Sequence, residues 1–511
     1  MSFVDIVVNV FTVENILLCL AGVVLGIIFG AIPGLNTPMA TALVLPFTYS
    51  MPIYPSVALL LGVYMGGISG GLISAILLKI PGTAAAATTT LDGYPMTKKG
   101  MAAEALSMGT FASFFGGIFS AIVLLFLAPQ LAKVALTFSP WDYFGTIVFS
   151  LSLISSLMTG RVLKGLIVVF IGLAMSCIGL SPIDGMAVRF TFGLDSLNAG
   201  LQMILVIIGI FAFPEVYNAI GNIKDDTKPS SFRKKFFYTP ERKVIKAQLG
   251  NLLRSSVIGT FIGILPGMGS STAGILAYTQ AKRLSKKPEE FGTGCYAGIA
   301  APESANNAVT GGALIPMLTL AVPGDTTTAI IMAALLIQGI NCGPLLIMNQ
   351  PDLFTVVVIL TFIANIFMFL VQSSTIRLSA KIVEIPRNYM FPVIMVFCIS
   401  GAIALNHRVF DAGVLLVCSL IGYLLEKNDY PTMPLVLAFV LGSLMEQYLR
   451  RSLQQYGTLT AAASGMTLGT WMILLAIIMP IVSIVLDNRR KKKAAAAAAA
   501  QNAGTDEPAG E

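Results

Sequence analysis

Long apolar stretches alternate with short polar ones along almost the whole chain, and no two-residue alternation of a half-buried strand organises them. A helix that is apolar all round is buried or membrane-spanning, and about 20 such residues cross the hydrocarbon layer. Runs near that length fall at 56–79, 105–128, 141–158, 163–180, 198–216, 297–322, 353–371, 390–405, 412–425, 431–448 and 466–486. The pattern predicts an all-α polytopic membrane protein with about 11–12 transmembrane helices.

Two further apolar runs are broken in the middle. Gly30-Ala31-Ile32-Pro33-Gly34-Leu35-Asn36-Thr37 interrupts the run from Ile16 to Pro46, and Leu265-Pro266-Gly267-Met268-Gly269-Ser270-Ser271-Thr272 interrupts the run from Val257 to Lys287. Each is followed by a Gly-rich helix and a second break. The first half has Gly70-Gly71 and then Pro81-Gly82-Thr83; the second has Gly311-Gly312 and then Pro323-Gly324-Asp325-Thr326. Pro33 and Pro266 lie 233 residues apart, and Pro81 and Pro323 lie 242 apart, so order and spacing nearly repeat.

Charge placement orients these elements. Between Asn218 and Arg254 nine basic residues (Lys224, Lys228, Arg233, Lys234, Lys235, Arg242, Lys243, Lys246, Arg254) outnumber three acids (Asp225, Asp226, Glu241), which marks a cytoplasmic linker. Arg489-Arg490-Lys491-Lys492-Lys493 marks a cytoplasmic carboxyl end. Counting outward puts Arg161, Lys164, Lys98 and Lys99 inside and the amino terminus outside, in keeping with the absence of Lys or Arg before Lys79. Arg450 and Arg451 fall on the outer side and are the one violation. The run from Val257 to Lys287 has basic flanks at both ends, the far one being Lys282, Arg283, Lys286 and Lys287. Both flanks belong on one face, so the run is expected to fold back at 266–272 as a re-entrant hairpin. The matching tip at 33–37 then enters from the opposite face, as in an inverted repeat, with elevator-like movement of the hairpins as a further expectation. The expected divisions are 1–217, a first membrane repeat; 218–254, the linker; 255–488, a second repeat; and 489–511, a basic then Ala-rich tail expected to be disordered.

Composition agrees: 56% of residues are hydrophobic and 11% charged, whereas soluble domains carry about a quarter charged residues. The formal charge of +7 resides in short runs between apolar segments, which argues for loops beside a lipid bilayer and against nucleic-acid binding. The cysteines Cys19, Cys177, Cys295, Cys342, Cys398 and Cys418 stand singly, without disulfide or transition-metal spacing. His407, beside Arg408, is the sole histidine, so catalytic and metal chemistry that depends on His loses support. No basic region precedes the first apolar segment, which is expected to be retained.

Candidate chemistry sits at the breaks. Pro lacks a donor and Gly allows the needed dihedrals, so one helix ends and another starts with unpaired N–H groups. Such an end favours an anion by about 0.3–1 kcal/mol, and freed carbonyls with hydroxyl oxygens suit Na⁺. Pro33, Gly34, Asn36, Thr37, Pro266, Gly267, Gly269, Ser270, Ser271 and Thr272 are therefore candidates for a carboxylate substrate. The bland alternative is helix capping and close packing. Acids at membrane depth cost about 2.5–3.5 kcal/mol on insertion scales, which singles out Glu303, with Asn306 and Asn307, and Asp325, with Thr326, as a cation or proton site. Asp325 equally suits an N-cap of a helix beginning at Thr326. Arg189 is expected on an outer loop.

Several ordered motifs carry a family resemblance. Gly30–Gly34, Ile80-Pro81-Gly82-Thr83, Leu91-Asp92-Gly93-Tyr94-Pro95, Arg189-Phe190-Thr191-Phe192-Gly193, Leu265-Pro266-Gly267 and Ala301–Ala308 resemble the large membrane subunit of the tripartite tricarboxylate transporters, over about residues 15–485. The resemblance implies a bacterial inner-membrane permease, acting with a small four-helix membrane subunit and a periplasmic solute-binding protein. It further implies uptake of di- or tricarboxylates driven by an ion gradient, taken to be Na⁺; on the residues alone H⁺ stays open as the coupling ion, and no other cofactor is expected. Two rivals remain. Re-entrant loops also build channel filters, and Ser270 or Ser271 is a conceivable nucleophile of a membrane enzyme, although no base is visible beside either.

Overall fold

The computed structural model describes residues 3–156, 161–182, 187–220, 237–383, 392, 395–396, 398–400, 402–403 and 408–503. Lys224, Lys228, Arg233, Lys234, Lys235, Asp225 and Asp226 of the basic linker, His407, most of the run 390–405 and the last eight residues of the tail lie outside the described residues.

Helices account for nearly all of the described structure: α1 (Phe3–Val10), α2 (Val13–Ala31), α3 (Thr37–Tyr49), α4 (Ile53–Gly70), α5 (Leu72–Leu78), α6 (Thr90–Lys98), α7 (Ala102–Ala135), α8 (Pro140–Ser156), α9 (Val162–Ser176), α10 (Met203–Ile220), α11 (Arg242–Ile264), α12 (Gly269–Leu284), α13 (Tyr296–Leu320), α14 (Thr326–Ile337), α15 (Pro344–Asn349), α16 (Pro351–Val383), α17 (Val409–Lys427), α18 (Thr432–Tyr456), α19 (Leu459–Ser464) and α20 (Leu468–Ala503). A two-residue antiparallel pair, β1 (Gly179–Leu180) with β2 (Val188–Arg189), is the only sheet among the described residues and holds Arg189 opposite Gly179. The protein is thus an all-α polytopic membrane protein. Seven helices among the described residues are long and apolar enough to cross a bilayer: Val13–Ala31, Ile53–Leu78, Ala102–Ala135, Pro351–Leu378, Val409–Lys427, Thr432–Tyr456 and Leu468–Arg489.

Two segments are more helical than the sequence pattern suggests. The Ala-rich tail, read as disordered, continues α20 to Ala503, because alanine has the highest helix propensity and the preceding turns supply the nucleus. The segment read as a linker up to Arg254 is helical from Arg242 onward, as the first turns of α11. Arg450, the exception to the charge pattern, lies on α18 and pairs with Glu446 one turn earlier at 2.8 Å.

Two compact units divide the chain, and each draws on both halves of the sequence. The smaller comprises 138–177, 181–187 and 428–511. In it Gly145 on α8 and Gly469 on α20 bring their backbones together, and the Asp142 carboxylate accepts the Gly469 N–H at 2.6 Å, capping the first turn of α20 from another helix. Trp141 Nε1 donates to Thr470 Oγ1 at 3.0 Å beside that contact.

The larger unit comprises 1–137, 178–180 and 188–427. Its core is built on two helix pairs, α2 with α4 and α11 with α13, in which glycine removes the side chain that would separate the backbones. Their contacts correspond residue for residue. A methyl group at Gly26 would strike the Val63 carbonyl, and one at Gly259 the Ala305 carbonyl. Gly30 meets the Gly67 carbonyl as Gly263 meets that of Val309, and Gly70 meets Ile27 as Gly312 meets Thr260. Lys79 after α5 (φ 63°) and Ala321 after α13 (φ 57°) are both left-handed caps on non-glycine residues. The packing therefore keeps the two spacings seen in the sequence, 233 for the first member of each pair and 242 for the second.

Candidate functional site

Both Pro-Gly breaks have the same backbone. Ile32 and Leu265, which end α2 and α11, adopt φ −90°, ψ 116° and φ −84°, ψ 115°. Gly34 and Gly267 follow at φ 89° and 82°, a left-handed conformation that glycine adopts without Cβ strain. Pro33 and Pro266 pre-set the residue before each glycine and end the helical ladder.

The helices beyond the tips begin differently. At α3, the Asn36 side chain accepts the Met39 N–H at 2.9 Å and Pro38 has no N–H, so most of the first-turn donors are spent or missing. Thr37 is buried behind it against Gly67, and its hydroxyl has no partner among the described residues. At α12, Met268 stands at the N-cap position and no side chain caps the helix. Gly269 (φ 67°), Ser270, Ser271 and Thr272 form that uncapped turn, with Ser270 buried. Gly267 N donates to the Gly324 carbonyl at 2.9 Å, which ties this tip to the second break of its own half.

The second breaks hold the acids. Asp325 caps α14: its carboxylate accepts the Thr328 N–H at 2.8 Å and the Thr328 hydroxyl at 2.9 Å, and the Tyr64 hydroxyl at 2.5 Å on its other oxygen. The N-cap reading of Asp325 is therefore realised, and Thr326 is the first residue of the helix it caps. Glu303 lies inside α13, fully buried, and accepts from Thr89 at 2.5 Å and from Ser113 at 3.1 Å. Asn306 Nδ2 donates to the Ala85 carbonyl at 3.2 Å, and Asn307 Nδ2 donates to Asn306 Oδ1 at 2.5 Å and to the Glu303 carbonyl at 3.1 Å. The two carboxylates thus have separate sets of partners.

Tyr64 and Asn306 occupy corresponding positions, 242 residues apart, and each reaches across to the other half, Tyr64 to its second break and Asn306 to the turn just beyond it. Buried polar groups at this depth require such partners, because an unpaired one costs several kcal/mol. Sequence reasoning missed Tyr64, Thr89 and Ser113 as partners of these acids. Applying the 242-residue spacing to Asn306 points to Tyr64, whereas Thr89 and Ser113 carry no signal in the sequence.

Asp92 was also missed as a structural centre. It is fully buried on α6, where it accepts the N–H groups of Gly292, Gly294 and Cys295 at 2.8–3.0 Å and the Tyr278 hydroxyl of α12 at 2.8 Å. One carboxylate therefore fixes both α12, through Tyr278, and the loop that enters α13. Multiple donors of this kind offset the cost of burying its charge.

Similarity to known proteins extends along this whole arrangement. The chain is 36% identical over 443 residues to the "uncharacterized 52.8 kDa protein in TAR-I ttuC′ 3′region" of Agrobacterium vitis, covering 86% of this chain and 88% of that one. It is 37% identical over 232 residues to the "uncharacterized protein in TAR-II ttuC′ 3′region" of the same organism, covering 44% of this chain and 96% of that one. No solved structure matches. The family model described as "Tripartite tricarboxylate transporter TctA family" matches residues 16–437, a span that contains both Pro-Gly tips, both second breaks, Asp92, Glu303 and Asp325, and the chain belongs to that family.

Proposed function

We propose that this transporter subunit imports di- or tricarboxylates, with the substrate held at the first turn of α12 and uptake coupled to Na⁺ or H⁺. The observation that carries the reading is the uncapped α12 N-terminus, where Gly269, Ser270, Ser271 and Thr272 leave backbone donors and hydroxyls for a carboxylate. Asn36 already uses its side-chain oxygen to cap α3, so the first tip contributes chiefly through Pro33, Gly34 and the Thr37 hydroxyl. Pro266 and Gly267 hold the backbone of the second tip. The buried group of Glu303, Asn306 and Asn307, with Asp325 and Thr326, takes the coupling cation or proton. The two hairpins enter from opposite faces as inverted repeats in the bacterial inner membrane, with the basic linker and carboxyl end cytoplasmic. A small membrane subunit and a periplasmic solute-binding protein complete the importer, and the binding protein selects which carboxylate is delivered.

Uptake of radiolabelled carboxylate into cells carrying all three components tests the reading. The double variant Ser270→Ala, Ser271→Ala is expected to raise the half-saturating substrate concentration about tenfold, the equivalent of roughly 1.4 kcal/mol of lost hydrogen bonding. Glu303→Gln is expected to abolish stimulation by the ion gradient while the protein still reaches the membrane. Wild-type kinetics in both variants, or a non-saturating ohmic current in place of uptake, would remove the basis for this assignment.

A further inference from the structure

The second breaks of the two halves share a backbone and differ in chemistry. Gly82 approaches the Gly30 carbonyl as Gly324 approaches that of Gly263, and the positions that follow are Thr83 and Asp325. In the second half the acid is fully engaged by Thr328 and Tyr64. In the first half the Thr83 and Ser74 hydroxyls are both more than nine-tenths buried and have no partner among the described residues. The position matching Ser74 is Pro316, which has no side-chain oxygen, so this pair of spare hydroxyls exists only at the first break.

Both hydroxyls border the glycine contacts of this break. A methyl group built on Gly71 would meet Thr83 Oγ1, and one built on Gly82 would lie 2.7 Å from Ser74 Oγ and against the Gly30 carbonyl. Gly30 belongs to the last turn of α2, where carbonyls lack helical donors and the helix dipole is negative. The Gly82 N–H is spent on the Gly71 carbonyl at 3.3 Å, and the nearby Lys79 is exposed. The oxygens gathered here are therefore neutral or partly negative, without a free backbone donor from Gly82 aimed among them. That arrangement repels a carboxylate and suits a partly dehydrated alkali cation, which takes hydroxyl and carbonyl oxygens at broken helices.

We infer that Ser74, Thr83 and the Gly30 carbonyl form a monovalent-cation site at the first break, separate from the Glu303 and Asp325 group. Its role in coupling rests on the importer reading, but binding itself does not. Thermal unfolding of the purified full-length protein is followed while NaCl replaces choline chloride at constant ionic strength. Na⁺ raises the wild-type midpoint saturably. Ser74→Ala and Thr83→Val each raise the half-saturating Na⁺ concentration about tenfold, and Thr83→Ser, which keeps the hydroxyl, stays within about twofold of wild type. Equal unfolding midpoints in choline show that each variant is folded; a Thr83→Val protein that fails this check is replaced by Thr83→Ala, with the same expectation. A wild type indifferent to Na⁺, or hydroxyl-deleted variants with the wild-type Na⁺ dependence, overturns the site. Loss of ion-stimulated uptake plays no part in this readout, so the importer proposal can fail while the site stands.

Discussion

Removing one oxygen from Tyr64 tests the cross-connection between the two halves. Tyr64→Phe keeps the ring, which is fully buried on α4, and deletes only the donor that lies 2.5 Å from Asp325. The carboxylate stays behind, buried, with Thr328 still bonded to its other oxygen. A hydrogen bond to a charged group contributes about 1.5–3 kcal/mol, and side-chain hydrogen bonds within membrane proteins average about 0.6 kcal/mol with a maximum near 1.7. The short distance and the carboxylate acceptor put this bond at the upper end of the membrane range, about 1.5 kcal/mol, or roughly a tenfold change in the folding equilibrium. The assay is equilibrium unfolding by SDS in mixed micelles, applied to Tyr64→Phe, Asp325→Asn and the double variant. The coupling energy of that cycle is expected at about 1–1.5 kcal/mol. Asn306→Ala, at the corresponding position, breaks two neutral bonds, the 3.2 Å bond to the Ala85 carbonyl and the 2.5 Å bond from Asn307, at about 0.6 kcal/mol each, plus the loss of side-chain packing. Additivity of the Tyr64 and Asp325 substitutions within about 0.3 kcal/mol would refute the connection.

Two other substitutions probe the tips and the buried acid of α6. Gly267→Ala and Gly34→Ala place a Cβ on left-handed backbone at a cost of about 1–2 kcal/mol each, so both should lower uptake while membrane levels persist; unaltered uptake in both would make the tips structural only. Asp92→Ala strips three loop N–H groups and the Tyr278 hydroxyl of their acceptor and should destabilise the protein by about 3 kcal/mol or more, with early proteolysis of the loop at 291–295; wild-type protease resistance would contradict the anchoring role.

Helix content, the Pro-Gly breaks and the two repeat spacings were legible in the chain itself, because composition and backbone exclusion rules act locally. Pro33 and Pro266 end helices wherever they lie, and the glycine after each allows the left-handed turn. The spacings were informative beyond that, since glycine contacts at 26, 30 and 70 recur at 259, 263 and 312 with partners at the corresponding positions. What the chain did not disclose were choices made by neighbours hundreds of residues away. Asn36 and Met268 sit at comparable tips, yet only the first has an oxygen with which to cap its helix, so the two helices begin differently. Asp325 read as an ion site or a cap, and the tertiary structure made it a cap that also receives Tyr64 from 261 residues earlier. Asp92 stands in one of the family motifs, but nothing local showed what it holds, because its partners come from α12 and the loop beyond it. Local rules determine where a helix stops. Only packing decides which buried oxygen finds a donor, because the energy of that bond depends on a partner that sequence distance does not reveal.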